Sequence, residues 1–511
     1  MAARIHLPAR LQRGAFLLLA VLLVVTAIAA LLAGAGFRQG DARARVTERA
    51  LAAAREALIA YAAGRPISAA VGPGYLPCPD LDGDGWAEST CGSLDGASGQ
   101  AQRLGRLPWK TLGLPMLTDG DGERLWYAVS TKYKGLLNCA ASRACVDMSP
   151  PAALGTITVR DASGHRVHDG TLGAPERAAE GGAVAVVIAP GAILERLRAD
   201  GTRGAQHRDC AAGDCDAEGT CTARPPQLAA TCDPLNYLDR APPEASGEDN
   251  AAFVDRADAA GRASNGDGFI AGPLAGRDGG IVVNDRLVAI GYAEVMPAIL
   301  RRVALEVAHC LRGYATRPEN GARYPWPAAA CAPASGAEGA PDVAGTSLGT
   351  IADTPFTRTS LSSNGRMLER WWRHEPRDPE ALSELPTAQD ACRIAVPPAD
   401  AGAQRTSMPG TPLAEGESAP FVGNAWWSTW RPFVAYALAR GFAPDAPGSP
   451  SCAAGACLTV ADGTGRTLAS DKEIAVIAST SCASAPRCDA SGCARIVLDD
   501  DPARHGLASF P

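Results

Sequence analysis

Residues 16–37 carry no charged side chain, and this block constrains the chain more than any other stretch. A helix rises about 1.5 Å per residue and roughly 20 apolar residues cross a bilayer core, so the block is long enough to span one. Arg4, Arg10 and Arg13 precede it with no acidic residue among them. The positive-inside bias then holds the short tail in the cytoplasm and directs the rest outward. Val46, Ala50, Ala53, Ala57 and Tyr61 recur downstream at helical spacing, which predicts one helix continuing to about residue 63, apolar in its first half and amphipathic in its second. The expected location is therefore the inner membrane, as a single-pass protein in contact with membrane lipid and with a periplasmic or extracellular C-terminal region.

The remaining chain must fold in an oxidising compartment, and its composition suits that. Gly (55) and Pro (39) are abundant among 511 residues while aromatics make up only 5%, so short elements joined by many turns are expected. Sixteen Cys in such a chain read as a disulfide framework. Close neighbours in sequence are the preferred pairs: Cys78/Cys91, Cys139/Cys145, Cys310/Cys331 and Cys452/Cys457. Connectivity among the other eight stays open. No CxxC occurs, which argues against a zinc ribbon or finger. The net charge of -7, with no basic stripe beyond the N-terminal arginines, argues against a nucleic-acid partner.

Apolar runs and turn signals place the elements. Val184 to Ala189 is continuously apolar between Gly182 and Pro190-Gly191, the pattern of a central strand. Leu300, Val303, Val307, Leu311 and Tyr314 line one face of a helix, with Pro297 expected in its first turn. Landmarks then recur in order. Trp126-Tyr127-Ala128-Val129 is echoed by Ala435-Tyr436-Ala437-Leu438, Thr158-Val159 before a Gly-containing turn by Thr459-Val460, and Ala185-Val186 by Ala475-Val476. The series predicts two modules in tandem.

The basic leader ending in Gly14, the following Ala15, and a helix half apolar and half amphipathic resemble the N-terminus of type IV pilins and pseudopilins. The stretch Leu76-Pro77-Cys78-Pro79-Asp80, followed by Gly105-Arg106-Leu107-Pro108-Trp109 and Leu125-Trp126-Tyr127-Ala128-Val129, is similar to the heads of a group of large pilin-like proteins. Asn236-Tyr237-Leu238-Asp239 and Asn284-Asp285-Arg286-Leu287 recur in that group too, as turn and capping residues or as a binding surface. The resemblance implies cleavage by prepilin peptidase between Gly14 and Ala15, N-methylation of Ala15, and other pilins or pseudopilins as partners. Leu19 stands where the family usually carries Glu, as in tip-type minor pseudopilins. A signal peptide ending near residues 33–35, or a plain uncleaved anchor, are the competing readings of the same block.

For metal chemistry, Asp80, Asp82, Asp84 and Glu88 fall at the first, third, fifth and ninth positions of an EF-hand-like loop, with Gly85 at the sixth. Calcium is the candidate cofactor, or else the loop is an unoccupied acidic turn. Position twelve, where a bidentate Glu belongs, is Cys91. Asp119-Gly120-Asp121-Gly122-Glu123 reads as a turn. Gly345-Thr346-Ser347-Leu348-Gly349 matches a nucleophile elbow in letters, but its Gly/Ala/Pro-rich surroundings do not supply the strand and helix an elbow needs. Trp371, Trp372, Trp426, Trp427 and Trp430 read as core packing or as an exposed platform.

The expected architecture is α+β: a leader (residues 1–14), a transmembrane helix (15–37), a first pilin-like antiparallel-sheet head (38–200), a loop-rich disulfide insertion (201–290) and a second pilin-like module (291–511). The expected function is non-enzymatic, as a minor pilin or pseudopilin at or near the tip of a type IV pilus or type II secretion pseudopilus. An anchored extracytoplasmic binding protein of the adhesin kind, or an enzyme, is the rival reading.

Overall fold

A computed structural model describes residues 9–65, 73–92, 103–131, 133–134, 154–170, 181–198, 201–206, 208, 234–243, 246–251, 268–316, 321–324, 348–350, 430, 434–442, 446, 448–452, 457–461, 465–478, 487–489, 492–497 and 506–510. Helix α1 spans Ala9–Gly64 and helix α2 spans Tyr292–Ala315. The other described elements are mainly short strands in small, mostly antiparallel sheets.

The expected fold is corrected here. The described residues form a sheet-rich molecule with two α-helices, and no helix among them is long and apolar enough to cross a membrane. The inner-membrane, single-pass location falls with that finding. Residues 16–37 lie within α1, but of the side chains in residues 9–39 the description covers Leu22, Val24 and Val25 alone. From Gly40 onward α1 carries Asp41, Arg43, Arg45, Glu48, Arg49, Arg55 and Glu56. The apolar face of that half, Ala50, Ala54, Leu58 and Ala62, is buried in the protein's own core.

One four-stranded antiparallel sheet runs, in spatial order, Leu104–Arg106, Trp126–Val129, Ala185–Ala189 and Arg286–Ile290. A second runs Leu348–Thr350, Val434–Leu438, Ile474–Ala478 and Gly506–Phe510. The echoed sequences Trp126–Val129 and Val434–Leu438 hold the same second place in each, and Ala185–Ala189 and Ile474–Ala478 the same third place. Each large sheet is accompanied by a smaller one with one parallel pairing: Thr158–Arg160 lies parallel to Gly268–Ile270, and Leu458–Ala461 parallel to Gly492–Val497. Residues 201–290 thus contribute strands to both sheets of the first half, with Arg286–Ile290 closing the larger one.

Ala185–Ala189 is buried at every position because both faces of its sheet are covered. Side chains alternate along a strand. Tyr127, Val129, Ala185 and Val187 turn toward the helices and join the larger core; Trp126, Ala128, Val186 and Ile188 turn the other way, onto Ile157, Val159, Tyr237 and Phe269. A run apolar on both faces is what such a strand requires.

Helix α2 begins earlier than Pro297 alone suggests. Gly291 caps it, and Glu294 accepts the Gly291 N–H at 2.8 Å, the returning half of a capping box. Pro297 therefore sits inside the helix. Val295, Ile299, Leu300, Val303, Val307 and Leu311 are buried in the larger core, and Arg55 of α1 pairs with Glu294 to tie the helices together.

Helix α1 is also held by the 119–123 turn. The Gly120 N–H donates to Thr47 Oγ1 at 2.9 Å, and Arg43 pairs with Asp121 at 3.0 Å. A Cβ on Gly120 would lie 2.3 Å from the Arg43 carbonyl oxygen, so only glycine permits this approach. Asp119 secures the turn from within, accepting N–H groups from Asp121, Glu123 and Gly191.

Among the described residues, two disulfides join Cys78 to Cys91 and Cys452 to Cys457. Cys139, Cys145 and Cys331 and the side chain of Cys310 lie outside the described residues.

Candidate metal centre and the buried carboxylate pair

The acidic loop is built onto the edge of the first large sheet. The Asp80 N–H donates to the Arg106 carbonyl at 3.0 Å, and the Arg106 N–H to the Asp80 carbonyl at 2.7 Å, so the loop leaves the strand at a fixed point. The Cys78–Cys91 disulfide closes its base. Gly83 and Gly85 take φ of 83° and 88°, and a Cβ on Gly85 would lie 2.6 Å from the Trp109 indole nitrogen.

Asp80, Asp82 and Glu88 each bring one oxygen to within 4.8 Å of the others. Calcium binds oxygens at about 2.3–2.6 Å, so three oxygens this close can share one ion. Asp84 does not join them; its Oδ1 instead accepts the Trp86 N–H at 2.7 Å. Cys91, at the twelfth position, is taken up by its disulfide.

The three carboxylates are not equivalent. Asp82 is exposed and Glu88 half-buried, whereas Asp80 is fully buried with both oxygens engaged. Its Oδ1 accepts the Gly83 N–H at 2.6 Å; its Oδ2 accepts the Gly85 N–H at 2.9 Å and faces Arg124 Nη2 at 3.4 Å. Both Arg124 Nη atoms also donate to the Gly83 carbonyl at 3.2 Å. Burial pushes the Asp80 carboxyl up to about 7, against the pull of Arg124 and the two amides. The positive charge at the heart of the loop is thus Arg124, and a cation bound by Asp82 and Glu88 would share Asp80 with it. The residues fit calcium in part: the oxygens are close enough, but the buried one already has its cation.

A second cluster was hidden from sequence reasoning by chain distance. Asp239 and Asp285, from the motifs Asn236-Tyr237-Leu238-Asp239 and Asn284-Asp285-Arg286-Leu287, meet in the interior and are both fully buried. Asp239 Oδ2 accepts the Asn284 N–H at 2.8 Å, and Asp285 Oδ2 accepts the Asp239 N–H at 2.8 Å, so each motif holds the backbone of the other. Gln206 donates to Asp239 Oδ1 at 2.9 Å, and Asn250 donates to Asp285 Oδ2 at 2.8 Å. Asp285 Oδ1 is buried without a hydrogen-bond partner. Burial raises both carboxyls, Asp239 to about 6 and Asp285 well above its ordinary range, the latter also through the neighbouring Asp239 charge. One proton held on Asp285 Oδ1 satisfies both facts. Sealed from solvent, the pair is a clamp between chain segments rather than an acid–base site.

Arg106, paired with Asp80 through the backbone, holds its guanidinium 4.2 Å from the ring centres of both Trp126 and Tyr237. Burial lowers it to about 10, which still leaves it charged at neutral pH. The stack carries the Asp239 motif onto the first large sheet.

The other sequence candidates separate. Gly14 and Ala15 lie within α1, with side chains outside the description. Leu348–Thr350 is a strand, so a strand follows Ser347 where an elbow would enter a helix. Trp430 is buried and donates its indole N–H to the Pro73 carbonyl at 3.0 Å; Trp371, Trp372, Trp426 and Trp427 lie outside the described residues. His165 sits on an exposed turn beside Ser163. Along the chain the two Asn/Asp motifs stand apart, and no sequence signal paired Asp239 with Asp285. No protein-family model, curated protein or solved structure matches the chain.

Proposed function

We propose that the protein is a non-catalytic structural subunit, a minor pilin or pseudopilin acting at or near the tip of a type IV pilus or type II secretion pseudopilus. The observation that carries this reading is the division of labour along α1. The helix has 56 residues, and its residues from Thr47 to Ala62 are committed to the sheets and α2. Upstream, the described side chains Leu22, Val24 and Val25 are 55–61% exposed. Large apolar groups left in water on a long helix call for a covering partner, and helices of neighbouring pilin-type subunits supply that chemistry. Leu19 in place of Glu, and the bulk of a head with two large sheets, suit an end position better than a repeated place in a shaft.

The test is mass spectrometry of the mature N-terminus from native cells with and without prepilin peptidase, combined with cross-linking through Leu22→Cys. A peptide beginning at N-methylated Ala15, lost without the peptidase, together with cross-links to other pilin-type subunits, is the expected result. An unprocessed terminus and a Leu22→Cys protein that cross-links to no such subunit would overturn the proposal.

A further inference from the structure

One buried arginine joins the seat of α1 to the carboxylate pair. Arg208 Nη1 faces Glu123 Oε1 at 3.4 Å and donates to the Gly191 carbonyl. Its Nη2 donates to Gln206 Oε1 at 2.7 Å and to the Tyr237 carbonyl at 3.3 Å. The Gln206 amide has a fixed orientation. Its oxygen also accepts the Leu194 N–H at 3.1 Å, while its nitrogen donates to Asp239 Oδ1 at 2.9 Å and to the Tyr237 carbonyl at 3.2 Å. A flip would set donor against donor and acceptor against acceptor at all four contacts.

The two ends of the guanidinium fork therefore serve different parts of the molecule. Glu123 belongs to the turn that grips α1 through Gly120 and Thr47, and Gly191, held by Arg208 at its carbonyl, donates its N–H to Asp119 of that turn at 2.8 Å. On the other side Gln206 links the guanidinium to Asp239, whose Oδ2 accepts the Asn284 N–H just ahead of the strand Arg286–Ile290. The Arg208 side chain is 3% exposed and that of Glu123 19%, so water screens little of this charge. The charged groups facing Asp239 are Asp285, Arg208 and Arg196; Arg196 is engaged by Asp249 and the Leu238 carbonyl. Glu123 also acts on Arg106 across the sheet. Burial raises both buried carboxyls, and Arg208 pulls both back toward ionisation.

We propose that Arg208 is a pH-sensitive latch, through which the charge on the Asp239–Asp285 pair sets how tightly the 119–123 turn holds α1. With Asp239 ionised, the guanidinium is shared between two carboxylates, Glu123 directly and Asp239 through the Gln206 amide. When Asp239 takes up a proton the second attraction is lost, Arg208 tightens on Glu123, and the turn closes on α1. Acidification thus secures the seat, and by linkage a secured seat favours the proton on Asp239. The inference does not depend on the filament reading.

Hydrogen exchange of the full chain at pH 5 and pH 7.5, corrected for intrinsic rates and read by mass spectrometry, tests it. Protection of the amides in residues 119–123 should fall about fivefold from the lower pH to the higher, the small end of coupling between sites. Protonation of Glu123 itself would act in the opposite sense. Glu123→Gln should abolish the fall while leaving the pH dependence at Ala185–Ala189 as it is. Asp121→Asn, which breaks the pair with Arg43 on the same turn, should lower protection at both pH values and keep the fall, so that a loosened turn is told apart from a cut latch. Wild-type protection equal at the two pH values, a fall that survives Glu123→Gln, or a fall that Asp121→Asn also abolishes overturns the inference.

Discussion

The Asp239–Asp285 pair yields a prediction in which two like substitutions differ in outcome. Asp285 uses one oxygen, accepting from the Asp239 N–H and from Asn250 at 2.8 Å each, while its other oxygen has no partner. Asp285→Asn keeps that acceptor and places the neutral amide NH2 where the lone proton of the neutral carboxyl sits. One neutral group carrying an unpartnered donor replaces another at the same place, so the expected change is within about 1 kcal/mol. Asp239 instead accepts with both oxygens, from Gln206 at 2.9 Å and from the Asn284 N–H at 2.8 Å. Asp239→Asn must turn an NH2 against one of these donors and should cost about 2–3 kcal/mol.

The same pair sets a pH dependence. Asp239 rises from its ordinary 3.8 to about 6, so between those values the folded chain holds a proton that the unfolded chain has lost. Stability then falls as pH rises through that window, by an amount on the order of 3 kcal/mol for this group, and levels off above it. Asp80, raised to about 7, and Asp285, raised further, extend the decline toward neutrality in the same direction. Urea unfolding at pH 5 and pH 7.5, followed by tryptophan fluorescence, measures all three proteins. Trp126 reports locally, with its ring centre 5.5 Å from that of Tyr237. Equal losses for the two Asn variants, or a wild-type midpoint no higher at pH 5 than at pH 7.5, would refute the shared-proton clamp.

Two further outcomes follow from contacts described above. Gly120→Ala drives a Cβ to 2.3 Å from the Arg43 carbonyl, so the turn should lift from α1 at a cost of about 2–3 kcal/mol, seen as faster amide exchange in residues 43–47 and a lower melting temperature. Arg124→Gln removes the guanidinium that faces Asp80 at 3.4 Å, and should increase calcium affinity at Asp80, Asp82 and Glu88 at least tenfold in a calorimetric titration, since the freed carboxylate then needs a counter-charge. Micromolar calcium binding by the wild type, unaltered by this substitution, would show that Arg124 does not fill the cation's role.

How much could be read in advance divides along chain distance. The continuous apolar run at 184–189 marked a strand covered on both faces, and the spacing of Leu300, Val303, Val307 and Leu311 marked a buried helical face, because burial acts on each element through its own periodicity. The close pairs Cys78/Cys91 and Cys452/Cys457 were legible for the same reason: their sequence separations of 13 and 5 keep the partners near each other. The start of α2 was missed by a turn and a half because Pro297 is tolerated beyond the first turn once Gly291 and Glu294 cap the helix.

By itself, then, the order of residues determined which segments must be buried, where the chain turns and which acidic loop could gather oxygens around an ion. Only the tertiary structure decided which charge stands beside which. It withdrew Asp84 from the oxygen cluster, set Arg124 against Asp80, and brought Asp239 and Asp285 together across more than forty residues. The physical reason is that hydrophobic patterning is a property of one element and repeats within a few residues. An electrostatic partnership has no period: it depends on distance and on the water removed from around it, and both exist only after the chain has packed.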